Sequence, residues 1–177
     1  MAPLVSVAIT TFNLERWLPR ALDSALAQKT DFSFEIVISD DASTDGTLEV
    51  ARSYRKRYPD VIRILERSKN AGMCRNYYDA FEGCRGKYVA WLDADDYWTD
   101  PRKLAIQVEI LEADSSIAAC CHLVRWVSSD GEVKREIYPC HCSRALWASR
   151  NSASQFRAFA VGHVSRGAAS SSSSLVL

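Results

Sequence analysis

Three carboxylates within four residues, Asp93, Asp95 and Asp96, close the apolar run Tyr88-Val89-Ala90-Trp91-Leu92. Like charges held this close disfavour one another's ionised form, so a buried strand that ends in them calls for a positive counter-group. Carboxylate oxygens are hard ligands, suited to Mg2+ or Mn2+ rather than to zinc or copper. An ion held by one or two of them completes its shell with water and a substrate diphosphate. It can then stabilise the negative charge that develops as a diphosphate departs. The plain alternative is a solvated loop or a set of helix caps, the role the sequence suggests for Asp100 ahead of Pro101.

Two further clusters carry the same kind of chemistry. Asp40-Asp41 follows the run Phe34–Ser39, and Thr10-Thr11-Phe12-Asn13 closes the run that begins at Leu4. Asp41 offers a carboxylate that can accept a hydrogen bond from a nucleobase N–H. Phe12 offers a face for stacking, and Thr10 a hydroxyl or backbone contact. Each also reads as an ordinary turn or capping residue. Arg75, within NAGMCRN, has the fork to pair with a phosphate, or is an exposed helix arginine.

The elements that position these residues alternate. Leu4–Thr10, Phe34–Ser39, Val61–Leu65 and Tyr88–Leu92 are apolar and β-branched, as buried strands are. Between them run helical stripes: Trp17, Leu18, Ala21, Leu22, Ala25 and Leu26, with Pro19 in the first turn; then Leu48, Ala51, Tyr54 and Tyr58 behind the capping residues of ASTDGT; then Met73, Tyr77, Ala80, Phe81 and Cys84, closed by Gly86. Asp100-Pro101 starts a fourth stripe through Leu104, Val108 and Leu111. Ile117 to Val127 reads as a strand, and Asp130-Gly131 as a hairpin turn into Val133–Tyr138. Four strand–helix alternations predict an α/β fold, a mostly parallel sheet with helices on both faces. In such sheets ligands bind beyond the C-terminal strand ends, where all three polar clusters fall.

Bulk properties narrow the partners. The 177 residues suffice for one domain with a real core, and 47% hydrophobic with 25% charged residues is a soluble globular composition. No apolar run approaches the roughly 20 residues that span a bilayer, and MAPLVSVAITTF has neither the basic start nor the break of a secretory signal. The net charge of zero gives no reason to expect nucleic acid. Charge is unevenly spread, however. Up to Glu136 there are 18 basic and 22 acidic residues, a balance of −4; from Ile137 there are four arginines and no acid, +4. Six cysteines form no secreted disulfide framework in a chain this large. Cys120-Cys121-His122 and Cys140-His141-Cys142 match none of the usual zinc spacings. The segment from Ser143, with five serines in a row, reads as a flexible or foreign tail. The expected division is therefore 1–138 as the folded domain and 139–177 as an incomplete acceptor-side region or non-native tail.

The motifs VSVAITTFN, EIVISDDASTDGT, NAGMCRN and GKYVAWLDADDYWTDPRKL, in this order and spacing, resemble family 2 glycosyltransferases of the GT-A, Rossmann-like fold over about residues 3 to 127. The resemblance implies a nucleotide-diphospho-sugar donor, expected to be UDP-linked, and an inverting transfer assisted by Mn2+ or Mg2+. The acceptor would be a saccharide, lipid or protein, in cell-wall or polysaccharide biosynthesis. It implies nucleoside-binding positions at Thr10, Phe12 and Asp41, and a basic residue near the donor at Arg75. Asp93 and Asp95 match the DxD pair that contacts ribose, diphosphate and metal, with Asp96 adjoining. The implied location is cytoplasmic, free or peripheral to the inner face of a membrane.

One departure matters. Family members carry a catalytic base in a later acidic motif, because the acceptor hydroxyl must lose its proton as it attacks. No acidic residue follows Glu136, so no base is assigned. A non-catalytic nucleotide-sugar-binding fragment is the alternative. A haloacid-dehalogenase-like phosphatase also ends a strand in Asp-x-Asp, but Tyr97 stands where that motif expects Thr or Val, and SDDASTDGT would be unexplained.

Overall fold

The computed structural model describes residues 2–122 and, beyond them, the backbone of 124–127, 133–137, 157–159 and 174–176. Strands and helices alternate in the order β1 (Val5–Thr11), α1 (Leu18–Leu26), β2 (Phe34–Asp40), α2 (Thr47–Arg57), β3 (Ile62–Glu66), α3 (Met73–Gly83), β4 (Tyr88–Asp93) and α4 (Lys103–Ala113). Four short strands follow: β5 (Val124–Val127), β6 (Val133–Ile137), β7 (Arg157–Phe159) and β8 (Ser174–Val176).

The main sheet runs β3-β2-β1-β4-β7 with every pair parallel. β1, innermost of the first four strands, is buried along its whole length. Its alternate side chains serve two layers. Val5, Val7 and Ile9 join Ile36, Ile38, Tyr88, Ala90 and Leu92 against Leu18, Leu22, Tyr54, Leu104 and Leu111 from α1, α2 and α4. On the opposite face Ala8, Val37 and Val89 meet Ala80 and Phe81 of α3 and Cys84 at its C-cap. Helices thus cover both faces, as the buried-type strands require. Each fully buried Leu or Ile contributes about 1.5–3 kcal/mol of apolar transfer energy to this packing.

The second face turns polar at its ends. Toward the amino ends of the strands, Ser6 Oγ donates to Glu35 Oε1 at 2.7 Å, and Arg63 Nη1 bonds Glu35 Oε2 at 3.1 Å. The amides of Arg85 and Gly86 donate to Ser6 Oγ. This explains one difference from expectation: α3 ends at Gly83, three residues before Gly86, because its exit chain is captured by Ser6 and Glu35. Gly86 instead lies against β1, where an added Cβ would stand 2.6 Å from Ser6 N and 2.7 Å from Val5 C. Gly86→Ala is expected to cost about 1–3 kcal/mol in urea unfolding, because strand backbone cannot yield. Wild-type stability for that variant would contradict this packing.

Three other expectations are corrected. Met73 is exposed rather than inward-facing, and Asn76 takes the buried position in the first turn of α3. Pro101 sits in a turn ahead of α4 rather than at its first position; Asp100 Oδ1 accepts the Arg102 amide, and the helix begins at Lys103. The strand expected from Ile117 starts only at Val124. Ahead of it, Ser116 folds onto Asp114 Oδ1 and Gln107 Nε2 holds the Cys120 carbonyl, so side chains occupy groups a ladder would need. The antiparallel pairing of β5 with β6 matches the expected hairpin. Its turn residues Asp130-Gly131, the Cys140-His141-Cys142 cluster and most of 139–177 lie outside the described residues.

A candidate active site at the carboxyl edge of the sheet

The register of β1 brings the three polar clusters together. Thr11 pairs with Asp40 of β2 on one side, and Thr10 pairs with Asp93 of β4 on the other. Thr10 Oγ1 lies 3.4 Å from Asp93 Oδ1, and the Asp41 amide donates to the Thr11 carbonyl at 3.0 Å. Phe12, next along, is 44% exposed at the rim. Thr10, Phe12, Asp41 and Asp93 therefore share one edge.

Asp41 is committed to the chain around it. Its side chain is 3% exposed. Oδ1 accepts the Ala71 amide and Oδ2 the Gly72 amide, each at 2.8 Å. Asn70 Nδ2 donates to the Asp41 carbonyl at 3.1 Å. Gly72 takes φ +87°, a conformation that favours glycine, and this lets both amides face one carboxylate before α3 begins. Arg67 Nε stands 3.6 Å from Asp41 Oδ1 and is buried without a hydrogen bond of its own.

The loops that carry Phe12 and Asp41 are laced to one another. The Asn13 amide donates to Ser43 Oγ at 3.0 Å, and Asn13 Oδ1 accepts the Thr44 amide at 2.7 Å. The Leu14 amide donates to Thr47 Oγ1 and the Glu15 amide to Asp45 Oδ2, while Glu15 Oε2 accepts the Gly46 amide. Asp45, just ahead of α2, also accepts the Thr47 amide and hydroxyl. The N-cap of that helix is Gly46, without a side-chain cap bond, so the capping side chain expected from ASTDGT is not realised. Burial raises the Asp45 carboxyl, but the donors from Thr47 and Glu15 prevail and hold it below its ordinary range.

The acidic turn is held from two sides. Tyr77 of α3 donates its hydroxyl to Asp93 Oδ1. Burial, and then the charge of Asp93, push this phenol far above its ordinary value, so it remains a donor. The Asp96 amide closes the turn on the Asp93 carbonyl at 2.9 Å. Asp95 is half-buried, whereas Asp96 is only 5% exposed. The outgoing chain is fastened to α1 and the residues just after it: the Trp98 amide donates to Ser24 Oγ, Gln28 Nε2 to the Asp100 carbonyl, and the Leu104 amide to Gln28 Oε1. Lys103, whose ammonium burial pushes down to about 7, lies 4.1 Å from the Trp98 ring.

Among the described residues no three His, Cys, Asp or Glu side chains enclose a metal by themselves. That donor set does not suit an all-protein cage. It suits a hard cation held by one or two carboxylates and completed by a substrate's phosphate oxygens.

The side chain of Arg75, 61% exposed, pairs not with another candidate site residue but with Asp79 one turn on, at 2.9 Å. Arg67, which follows β3, is the basic group beside Asp41, and it too pairs with Asp79. Asn76 is a second residue that sequence reasoning missed. Its Oδ1 accepts from Ser39 Oγ at 2.6 Å, and its Nδ2 reaches the carbonyls of Thr11 and Ser39. A signal existed: Asn76 lies four residues before Ala80, in line with the buried face of α3. Nothing in the spacing singled out Arg67.

A sequence model of glycosyl transferase family 2 matches residues 6–166. An uncharacterized protein of Mycobacterium tuberculosis is 39% identical over 142 residues, 80% of this chain and 41% of its own length. Among solved structures, S. aureus TarS 1-349 in complex with UDP aligns with a TM-score of 0.58 at 27% identity, over 66% of this chain and 34% of TarS. The mannosyltransferase PcManGT from Pyrobaculum calidifontis, in complex with GDP-Man and Mn2+, aligns with a TM-score of 0.61 at 29% identity, over 69% and 36%. The chain therefore spans well under half the length of each of these relatives. Among the described residues no helix is long and apolar enough to cross a membrane.

Proposed function

The chain belongs to glycosyl transferase family 2, and on that premise we propose that residues 1–138 form the donor half of a GT-A glycosyltransferase. The enzyme transfers a sugar, with inversion, from a UDP-linked donor to a saccharide, lipid or protein acceptor, with Mn2+ or Mg2+ required. The observation that carries this reading is the register of β1, which pairs Thr11 with Asp40 on one side and Thr10 with Asp93 on the other, so that Phe12 and Asp41, which follow Thr11 and Asp40, emerge at the same edge as the acidic turn. The complexes of TarS with UDP and of PcManGT with GDP-Man and Mn2+ support the donor class and the metal.

Each residue has a part that its surroundings permit. Phe12 offers its exposed face to the base. Asp41 shapes the 70–72 backbone beside it and supplies negative charge toward a base N–H. Thr10 and Tyr77 fix the Asp93 carboxylate through Oδ1. Asp93 and Asp95 would hold the metal, with Asp96, only 5% exposed, as the third candidate ligand. The metal, when bound, offsets charge on the departing diphosphate. Arg67 is better placed than Arg75 to add positive charge behind Asp41. A base for the acceptor hydroxyl is not assigned.

The alternative reading is a nucleotide-sugar-binding module without turnover. Calorimetry with UDP and Mn2+, paired with a transfer assay, separates the two, since binding without transfer supports the module. Asp41→Asn keeps the shape of the side chain while removing its charge and one acceptor. The variant is expected to bind uridine about tenfold more weakly in EDTA, from the loss of negative charge beside the base and of one of the two bonds that hold the 70–72 backbone there. Equal affinity in the two forms would remove Asp41 from the nucleoside site.

A further inference from the structure

The lacing between the first two loops does more than close the fold. Asn13 and Ala42 are the two non-glycine residues with positive φ among those described, at +55° and +59°, and each directly follows a proposed site residue, Phe12 and Asp41. Asparagine tolerates this conformation better than most residues do, because its short side chain bonds locally. Here that side chain also reaches across 31 residues: Oδ1 accepts both the amide and the hydroxyl of Thr44, at 2.7 and 3.3 Å. The Asn13 amide returns a bond to Ser43, whose own amide and hydroxyl are held by Asp40. A continuous chain of bonds thus runs from the residue after Phe12 to the residue before Asp41.

We propose that Asn13 is the positioning residue of the nucleoside half of the site, fastening the Phe12 loop to the Asp41 loop so that stacking face and carboxylate are set before a donor arrives. This rests on the donor reading above. Because none of its bonds involves the acidic turn, Asn13 acts on base recognition with and without metal. The energetic gain is preorganisation: loop ordering that binding would otherwise have to supply is already complete in the free protein.

Three forms of the 177-residue chain test this. Asn13→Gly keeps the backbone conformation available and deletes the acceptor; Asn13→Asp keeps the acceptor. In Asn13→Gly, amide exchange at Thr44 and Leu14 is expected to accelerate, and UDP affinity to fall about tenfold in EDTA and in Mn2+ alike. Asn13→Asp is expected to stay within about twofold of wild type in both readouts. Asn13→Gly binding UDP as wild type does would overturn the proposal, as would Asn13→Asp losing as much affinity as Asn13→Gly at an equal melting temperature. Failure of the wild type itself to bind UDP would refute the donor reading instead. Exchange at Thr44 then decides the lacing alone: acceleration in Asn13→Gly upholds it, and unchanged protection overturns it.

Discussion

On the proposed donor reading, Asp95→Asn is expected to abolish the metal-dependent part of UDP binding, a loss on the order of 100-fold or about 2.7 kcal/mol, and to leave affinity in EDTA unchanged. The size follows from what is removed. A neutral amide in place of a half-buried carboxylate takes a full charge from a hard cation that has few protein ligands to begin with. The fold is spared, because Asp95 sits at the tip of the turn while the turn itself is closed by Asp93 and Asp96 backbone. Calorimetry with and without Mn2+, beside far-ultraviolet circular dichroism, checks both halves. Titration curves that superimpose with those of the wild type would end the case for a metal at this turn.

Asn76→Leu has the largest expected effect on stability, about 3–5 kcal/mol in chemical denaturation, because it strands several buried groups at once. The substitution leaves the Ser39 hydroxyl and the carbonyls of Thr11 and Ser39 without their Asn76 partner, in a place water does not reach. It also places a larger apolar side chain between α3 and the ends of β1 and β2. Against a typical total of about 5–15 kcal/mol, such a loss threatens the folded state at body temperature. A cost below about 1 kcal/mol would mean that the ends of β1 and β2 are satisfied in another way.

These two residues also mark what the sequence discloses. The acidic turn announces itself, since three carboxylates at the end of an apolar strand have few other uses, and the alternation of strand and helix places that end beside Thr10 and Asp41. Periodicity found each helix from its inward apolar residues, and Leu104, Val108 and Leu111 are all buried. It failed where the inward surface is polar. At the first turn of α3 the partners are strand carbonyls and a serine hydroxyl, so an asparagine is buried and Met73 is left exposed, the reverse of a hydrophobic rule. Arg67 escaped notice because its value is purely spatial: it lies 26 residues from Asp41 in the chain and 3.6 Å from it in the fold.

The anchorage of the acidic turn to α1 has a mechanical consequence. From Trp98 to Leu104 the chain is pinned at three points by Ser24 of α1 and by Gln28 just beyond it, at the end of a helix whose inner face is sealed into the core. A segment fastened in this way lacks a hinge of its own, so it serves as an anvil rather than a lid. If the proposed site closes over a donor, the moving part would then have to come from a segment other than this one.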